Sequence, residues 1–201
     1  MTPLAAPPAD PRELKEFPVV AIPAGTELVR IHRHRHGPLW FRHDGEGRFD
    51  LPPPRGTLYA AADPLGAYVE VFRHVRFVPR EEIEARRLST LAPRRGLRLA
   101  DCTSRRARPF GLTGAIHTTP AYGETQVWAS AFAAAGFDGI RSLLRHDPAQ
   151  RLVGYALFGP AAGGDDADGD WEVTSTEPID AALLREVEDR FGLSILPTDV
   201  L

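Results

Sequence analysis

Short apolar, β-branched runs and helical stretches follow one another along this chain without a strict strand–helix–strand alternation, and that pattern limits the fold most. A doubly wound parallel sheet needs a crossover, usually a helix, between successive strands. Here strand-like segments near Glu27–Arg33, Gly56–Ala61, Leu97–Asp101, Asp138–Leu143, Val153–Phe158 and Trp171–Thr176 are separated by unequal loops and only some helices. The expected class is α+β, with mixed, mostly antiparallel sheets and flanking helices.

Local signals place the helices. Asp63-Pro64 opens the first, with Asp63 as N-cap and Pro64 at the first helical position. It is expected to run to about His74, with Leu65, Val69 and Phe72 on one stripe. A second helix is predicted over Glu81–Leu88. A third opens at Thr119-Pro120 and runs to about Ala135, with Val127, Ala131 and Phe132 facing inward and Gly136 closing it. The last spans Ile179–Phe191, where Ile179, Leu183, Val187 and Phe191 recur every four residues before Gly192. This apolar stripe either closes the core or docks a partner or a second copy, so a homo-oligomer stays open.

At 201 residues, with 43% apolar and 25% charged residues, the chain has ordinary globular composition and enough length for one core. Residues 1–16, carrying Pro3, Pro7, Pro8 and Pro11, read as a loose N-terminal arm, and residues 17–201 as a single domain. A net charge of −3 supplies no global basic field for nucleic acid. The pairs Arg86-Arg87, Arg94-Arg95 and Arg105-Arg106 are scattered, and Glu81, Glu82 and Glu84 offset the first, so they read as surface charge. The single cysteine, Cys102, excludes an internal disulfide and fits a reducing compartment. With no basic start leading into an apolar run, and no stretch as long as a membrane span, the reading is a cytoplasmic protein without membrane contact.

The densest chemistry lies in Gly47-Arg48-Phe49-Asp50, Gly56-Thr57-Leu58-Tyr59 and Glu70. Arg48, Tyr59 and Glu70 stand eleven positions apart in turn, on a loop, a strand and a helix, so they are free to converge on one cleft. Arg48 offers a planar, always-charged fork that matches phosphate oxygens. Tyr59 offers a flat face with a hydroxyl at its tip. Glu70, held in a pocket, would steady positive charge developing on a sugar carbon during glycosidic cleavage, or orient a ribose hydroxyl. On spacing alone the same three residues read more simply as a surface arginine, a core tyrosine and a solvated helix charge. His32, His34 and His36 would share a face if the strand continued, but no carboxylate or cysteine completes a metal set. They read as a polar strand lip, with His32 or Arg33 touching a substrate phosphate. Asp166, Asp168 and Asp170 alternate in a glycine-rich loop, with Glu177 twelfth counting from Asp166. Trp171 stands where a calcium loop needs glycine, so this reads as a solvated loop and no metal is expected.

The ordered set Leu28-Val29-Arg30-Ile31, Gly47-Arg48-Phe49-Asp50, Arg55-Gly56-Thr57-Leu58-Tyr59-Ala60-Ala61, Ala67 and Glu70-Val71-Phe72 resembles the RES-domain family. The likeness continues through Thr125, Trp128-Ala129, Phe137-Asp138-Gly139-Ile140-Arg141, Arg145 and Ala156-Leu157-Phe158, and covers about residues 27–158. That family supplies the toxin half of many bacterial Xre–RES toxin–antitoxin pairs. The resemblance implies an ADP-ribosyltransferase-like fold and an Xre-type antitoxin as partner. It implies NAD as substrate, cleaved at the nicotinamide–ribose bond by hydrolysis or phosphorolysis. Carried over, Arg30 and Arg48 hold the pyrophosphate or ribose side, Tyr59 packs against nicotinamide or ribose, Glu70 is the key acid, and Arg145, kept from the family's Ser-Arg pair, binds substrate. The chain departs from the family where Leu144 precedes Arg145 in place of serine. Ser142, two positions earlier on the same strand face, would partly replace that hydroxyl. Three functions follow from the resemblance: an NAD-cleaving toxin, a protein ADP-ribosyltransferase, or an NAD-binding module with weakened chemistry.

Overall fold

The computed structural model describes residues 4–72, 75–163 and 169–196. Ten strands are described: β1 (Val19–Ile22), β2 (Leu28–Arg33), β3 (Arg55–Ala61), β4 (Phe77–Pro79), β5 (Arg86–Pro93), β6 (Leu97–Asp101), β7 (Gly139–Leu143), β8 (Val153–Pro160), β9 (Trp171–Glu177) and β10 (Ser194–Leu196). Eight form one sheet in the order β1-β6-β7-β8-β3-β2-β5-β9. Among the described residues its only parallel pair is β6–β7; β4 and β10 form a separate parallel pair. The helices are α1 (Pro64–Phe72), α2 (Arg80–Glu84), α3 (Ala115–Thr118), α4 (Tyr122–Ala134) and α5 (Ala181–Phe191). The expected mixed, mostly antiparallel sheet with flanking helices is therefore the one found.

Strand alternation divides the core. Leu58 on β3 faces a cluster with Leu28, Leu91, Leu99 and Leu157. The neighbouring positions Tyr59 and Ala61 turn to the other face, as the two-residue period requires. That face carries two helical layers. Near one end, Trp128 and Phe132 of α4 pack with Phe17, Phe137 and Ile140. Near the other, Tyr68 and Phe72 of α1 pack with Leu183 and Val187 of α5, over Val29 and Ile31 of β2.

The helix signals act as read at α1 and at the end of α5, which starts two residues after the expected Ile179. Asp63 Oδ1 accepts the Gly66 N–H at 2.7 Å, and Leu65, Val69 and Phe72 are buried. Residues 73–74, the expected end of that helix, lie outside the described residues. Asp180 caps α5 by accepting the Leu183 N–H at 2.7 Å, and Gly192 ends it at φ 62°. The apolar stripe closes the core, burying Ile179 just before α5 and Leu183 and Val187 within it.

Other expectations change. The segment Glu81–Leu88 is not one helix: α2 stops at Glu84 and β5 begins at Arg86. Its residues pair with β2 on one side and β9 on the other, and two ladders outweigh a weak helical preference. Val127 is 53% exposed, and Thr125, Trp128 and Ala129 occupy the inner face of α4 instead. The N-terminal arm is packed. Asp10 caps a short 3-10 helix over Pro11–Glu16, Leu4 and Leu14 are buried, and the Trp128 indole N–H donates to Ala5 O at 2.8 Å. Pro11 thus starts a helical turn rather than merely blocking pairing. Asp166 and Asp168 of the acidic loop lie outside the described residues. No helix of the described residues is long and apolar enough to cross a membrane.

Candidate functional site

Between the two helical layers lies a cleft of about 440 Å³. Its lining includes seven residues that the sequence offered for catalysis or substrate binding: Arg30, His32, Arg48, Tyr59, Glu70, Ser142 and Arg145. Three strands, a loop, a helix and the segment after β7 contribute them, so only the tertiary fold brings them together.

Arg48 sits on the loop between β2 and β3. Its Nη1 donates to Thr119 O at 2.9 Å and Ile116 O at 3.4 Å, and its guanidinium lies 5.0 Å from the centroid of the Tyr122 ring. Its Nη2 is buried and finds no hydrogen-bond partner among the described residues. Burial lowers its pKa, with the Arg145 charge acting in the same direction, while Tyr122 and Glu70 oppose the shift. A buried cation with an unused donor is costly unless something completes its bonding, and an anionic oxygen would do so.

Tyr59 presents a ring, not a hydroxyl. Its O–H donates to Asp50 Oδ1 at 2.7 Å and its oxygen accepts the Phe49 N–H at 2.8 Å. Burial, then the charge of Asp50, holds its pKa well above the usual tyrosine value. Proton transfer by Tyr59 is therefore disfavoured, and its role in the cleft is a surface. Glu70 is half-buried near the C-terminal end of α1, near enough for its charge to act on both Arg48 and Tyr59.

Arg30, half-buried on β2, spends Nη1 on two carbonyls, Pro38 O and Trp40 O, each at 2.9 Å. Burial pulls its pKa down to about 10, so it stays charged at neutral pH. It braces the cleft rim as well as lining it. Ser142 is buried on β7 opposite Gly154, and Leu144 is buried on the same wall. Leu144 packs so closely on Gly154 that a Cβ there would lie 2.4 Å from its Cδ2.

The histidine expectation changes. β2 ends at Arg33, and His34–His36 form a 3-10 turn, so the three imidazoles do not share a strand face. His32 is buried, with Nε2 2.9 Å from Ser89 Oγ and Nδ1 3.1 Å from Arg33 O. Among the described residues no three His, Cys, Asp or Glu side chains form a group able to hold a metal.

His117, unmarked in the sequence, lies under the Arg48 segment. Its Nδ1 accepts the Leu143 N–H at 3.3 Å, and its ring also bonds the Cys102 backbone. Burial pushes both His32 and His117 down to about 4. In the unfolded chain each takes up a proton as pH falls below about 6.5. Between about 6.5 and 4 the unfolded state thus binds more protons, so folding stability should fall as pH falls through this window and cease to fall on their account below it. Denaturant titrations at stepped pH are expected to show this loss, with a shallower slope in a His32→Gln/His117→Gln variant. Equal slopes would rule the two histidines out as its source.

Tyr122, Asp50, Thr125 and Gln126 also shape the site. Thr125 Oγ donates to Arg48 O and to Tyr122 O. Gln126 Nε2 donates to Gly45 O and Gly47 O, each at 2.8 Å. Asp50 and Thr125 stand in the motifs quoted above, but their contacts to the Arg48 loop depend on pairings across the fold and leave no local signal.

The RES-domain family model matches residues 27–176. The chain belongs to the RES-domain family. The match contains every cleft residue named above. Among solved structures, a chain in the crystal structure of the M. tuberculosis MbcT–MbcA toxin–antitoxin complex is similar to this RES domain, with a TM-score of 0.63 and 18% identity over 84% of this chain and 92% of that chain. At that identity the likeness is one of fold. No curated protein sequence matches the chain.

Proposed function

We propose that the cleft binds NAD and cleaves its nicotinamide–ribose bond, and that the protein is a growth-inhibiting toxin restrained by an Xre-type antitoxin. The observation that carries this reading is the buried, unpartnered Nη2 of Arg48 in the same cleft as Glu70. Arg48, with Arg145, offers charge to the pyrophosphate, and the Tyr59 ring offers a face to nicotinamide or ribose. When the C1′–N bond breaks, its electron pair passes to the nicotinamide ring and neutralises the pyridinium charge. Positive charge then develops on the ribose, and the Glu70 carboxylate stabilises it. Water adding to C1′ gives ADP-ribose and a proton; phosphate adding there gives the corresponding sugar phosphate.

Nicotinamide release from NAD by the purified protein, with and without phosphate and beside a Glu70→Gln variant, tests the reading. Release that depends on Glu70 is expected, and dependence on phosphate would name the acceptor. Labelled ADP-ribose appearing on protein instead would show a transferase. No release in either buffer would sink the enzymatic reading.

Leu144 favours a second reading, an NAD-binding module with weakened chemistry, because a packed leucine holds the wall position where the family carries a serine. Leu144→Ser is expected to raise the turnover number several-fold, while losing about 2–5 kcal/mol of stability through the cavity left at a buried leucine. Kinetics beside a thermal melt would separate the two effects. A stability loss with unchanged turnover would show that Ser142 already serves in place of the missing hydroxyl.

A further inference from the structure

Asp50 does not line the cleft, yet it touches two of the elements that do. Its side chain is 1% exposed. Oδ1 accepts the Tyr59 O–H at 2.7 Å, and Oδ2 accepts the Gly47 N–H at 2.9 Å. The Tyr59 oxygen in turn accepts the Phe49 N–H at 2.8 Å, so the bonds close a ring around Arg48. The approach is tight: a Cβ on Gly47 would fall 2.2 Å from Asp50 Oδ1 and 2.6 Å from the Tyr59 hydroxyl. Only glycine lets the turn come this close. Arg42 Nε, 3.8 Å from Asp50 Oδ2, offsets the buried charge.

We propose that Asp50 is a positioning residue, whose buried carboxylate fixes the Tyr59 ring and the Gly47–Phe49 turn, and through that turn the guanidinium of Arg48. Its role in cleavage rests on the NAD reading above, whereas its role in geometry does not. Aspartate suits the place because each oxygen accepts from a group of the ring, the Tyr59 O–H and the Gly47 N–H, while the Arg42 charge beside Oδ2 counters the nearby Asp44 carboxyl. Asparagine keeps the shape but turns one acceptor into a donor, which either opposes the Gly47 N–H or leaves the Tyr59 O–H without its acceptor. The displaced ring and guanidinium would lose alignment with substrate, and small misplacements of this kind cost turnover steeply.

The test compares Asp50→Asn, Tyr59→Phe and the double variant with the unaltered protein by nicotinamide release and thermal melting, and follows the Gly47, Arg48 and Phe49 amides by NMR in the absence of NAD. Asp50→Asn is expected to lower turnover by about 10- to 100-fold, with a smaller change in KM. The double variant should fall little further, because both changes break one bond. The three amides should shift in Asp50→Asn while amides of α5 stay in place. Unmoved loop amides, losses that multiply in the double variant, or a lowered melting temperature with unchanged turnover would each overturn the proposal. If the unaltered protein releases no nicotinamide, the NAD reading fails on its own, and the amide shifts alone decide whether Asp50 sets this geometry.

Discussion

Nicotinamide release is expected to fall by about 10²- to 10³-fold in Glu70→Gln, the range seen when one preorganised charge-stabilising group is removed from an active site. Glutamine keeps the length and one acceptor oxygen of glutamate and replaces the other by an NH2 donor, so the variant removes the charge at nearly constant shape. The ribose carries little positive charge in bound NAD and much in the transition state. A carboxylate beside C1′ therefore acts mainly on turnover, and KM should change far less. A carboxylate beside the nicotinamide ring would instead meet a charge already present in the ground state, and its loss would raise KM. The split between the two constants thus places Glu70 along the substrate. Folding should be nearly unaffected, since Glu70 is half-buried on α1 and glutamine has a similar helix propensity. Full activity in the variant, with an unchanged melt, would remove Glu70 from the mechanism.

The parts of the fold legible in the sequence are those that local chemistry determines. Asp63-Pro64 starts a helix because a side-chain oxygen within reach caps the first turn, Gly192 ends one in the left-handed region, and both act as read. β6 matches its expected span, Leu97–Asp101, and β7, β8 and β9 differ from theirs only at one end. The failures share one cause. At β5, Arg86-Arg87-Leu88 leans locally towards helix, and strands distant in sequence override it. At α4, Val127 was expected inward on periodicity, but Trp128 and Phe132 have far more surface to bury and set the helix rotation. The arm followed α4 in turn, because its Leu4 and Leu14 complete the cluster around Trp128.

The site divides in the same way. Arg48, Tyr59 and Glu70 were legible as residue types suited to a nucleotide, and the family resemblance placed them together. Their states were not legible. That the Tyr59 hydroxyl is fully engaged, that Arg30 spends donors on loop carbonyls, and that Arg48 keeps one buried nitrogen unpaired all follow from contacts across 8 to 71 positions of chain. A side chain's chemistry can be read from its identity; the part of that chemistry left over for a ligand depends on what the fold has already used.

That remainder is what Arg48→Lys tests. The arginine fork serves two purposes at once: Nη1 holds Thr119 O and Ile116 O, and Nη2 is left for the cleft. Lysine has one compact ammonium on a flexible stem, and it cannot satisfy the two carbonyls and reach a phosphate oxygen with the same planar geometry. Satisfying the carbonyls is the nearer option, and it leaves the cleft without its directed donor. A hydrogen bond to a charged group contributes about 1.5–3 kcal/mol, so kcat/KM for NAD should fall by about 10- to 150-fold at that energy. The affinity for ADP-ribose, which carries the pyrophosphate but no nicotinamide, should weaken by a similar factor. Nicotinamide alone, as a product inhibitor, should bind almost as before. The melt should change little, because the positive charge over Tyr122 and one donor to the carbonyls both survive. Equal affinity for ADP-ribose in the variant and the unaltered protein would mean that the free nitrogen of Arg48 does not meet the pyrophosphate, and Arg145 would then be the arginine to alter next.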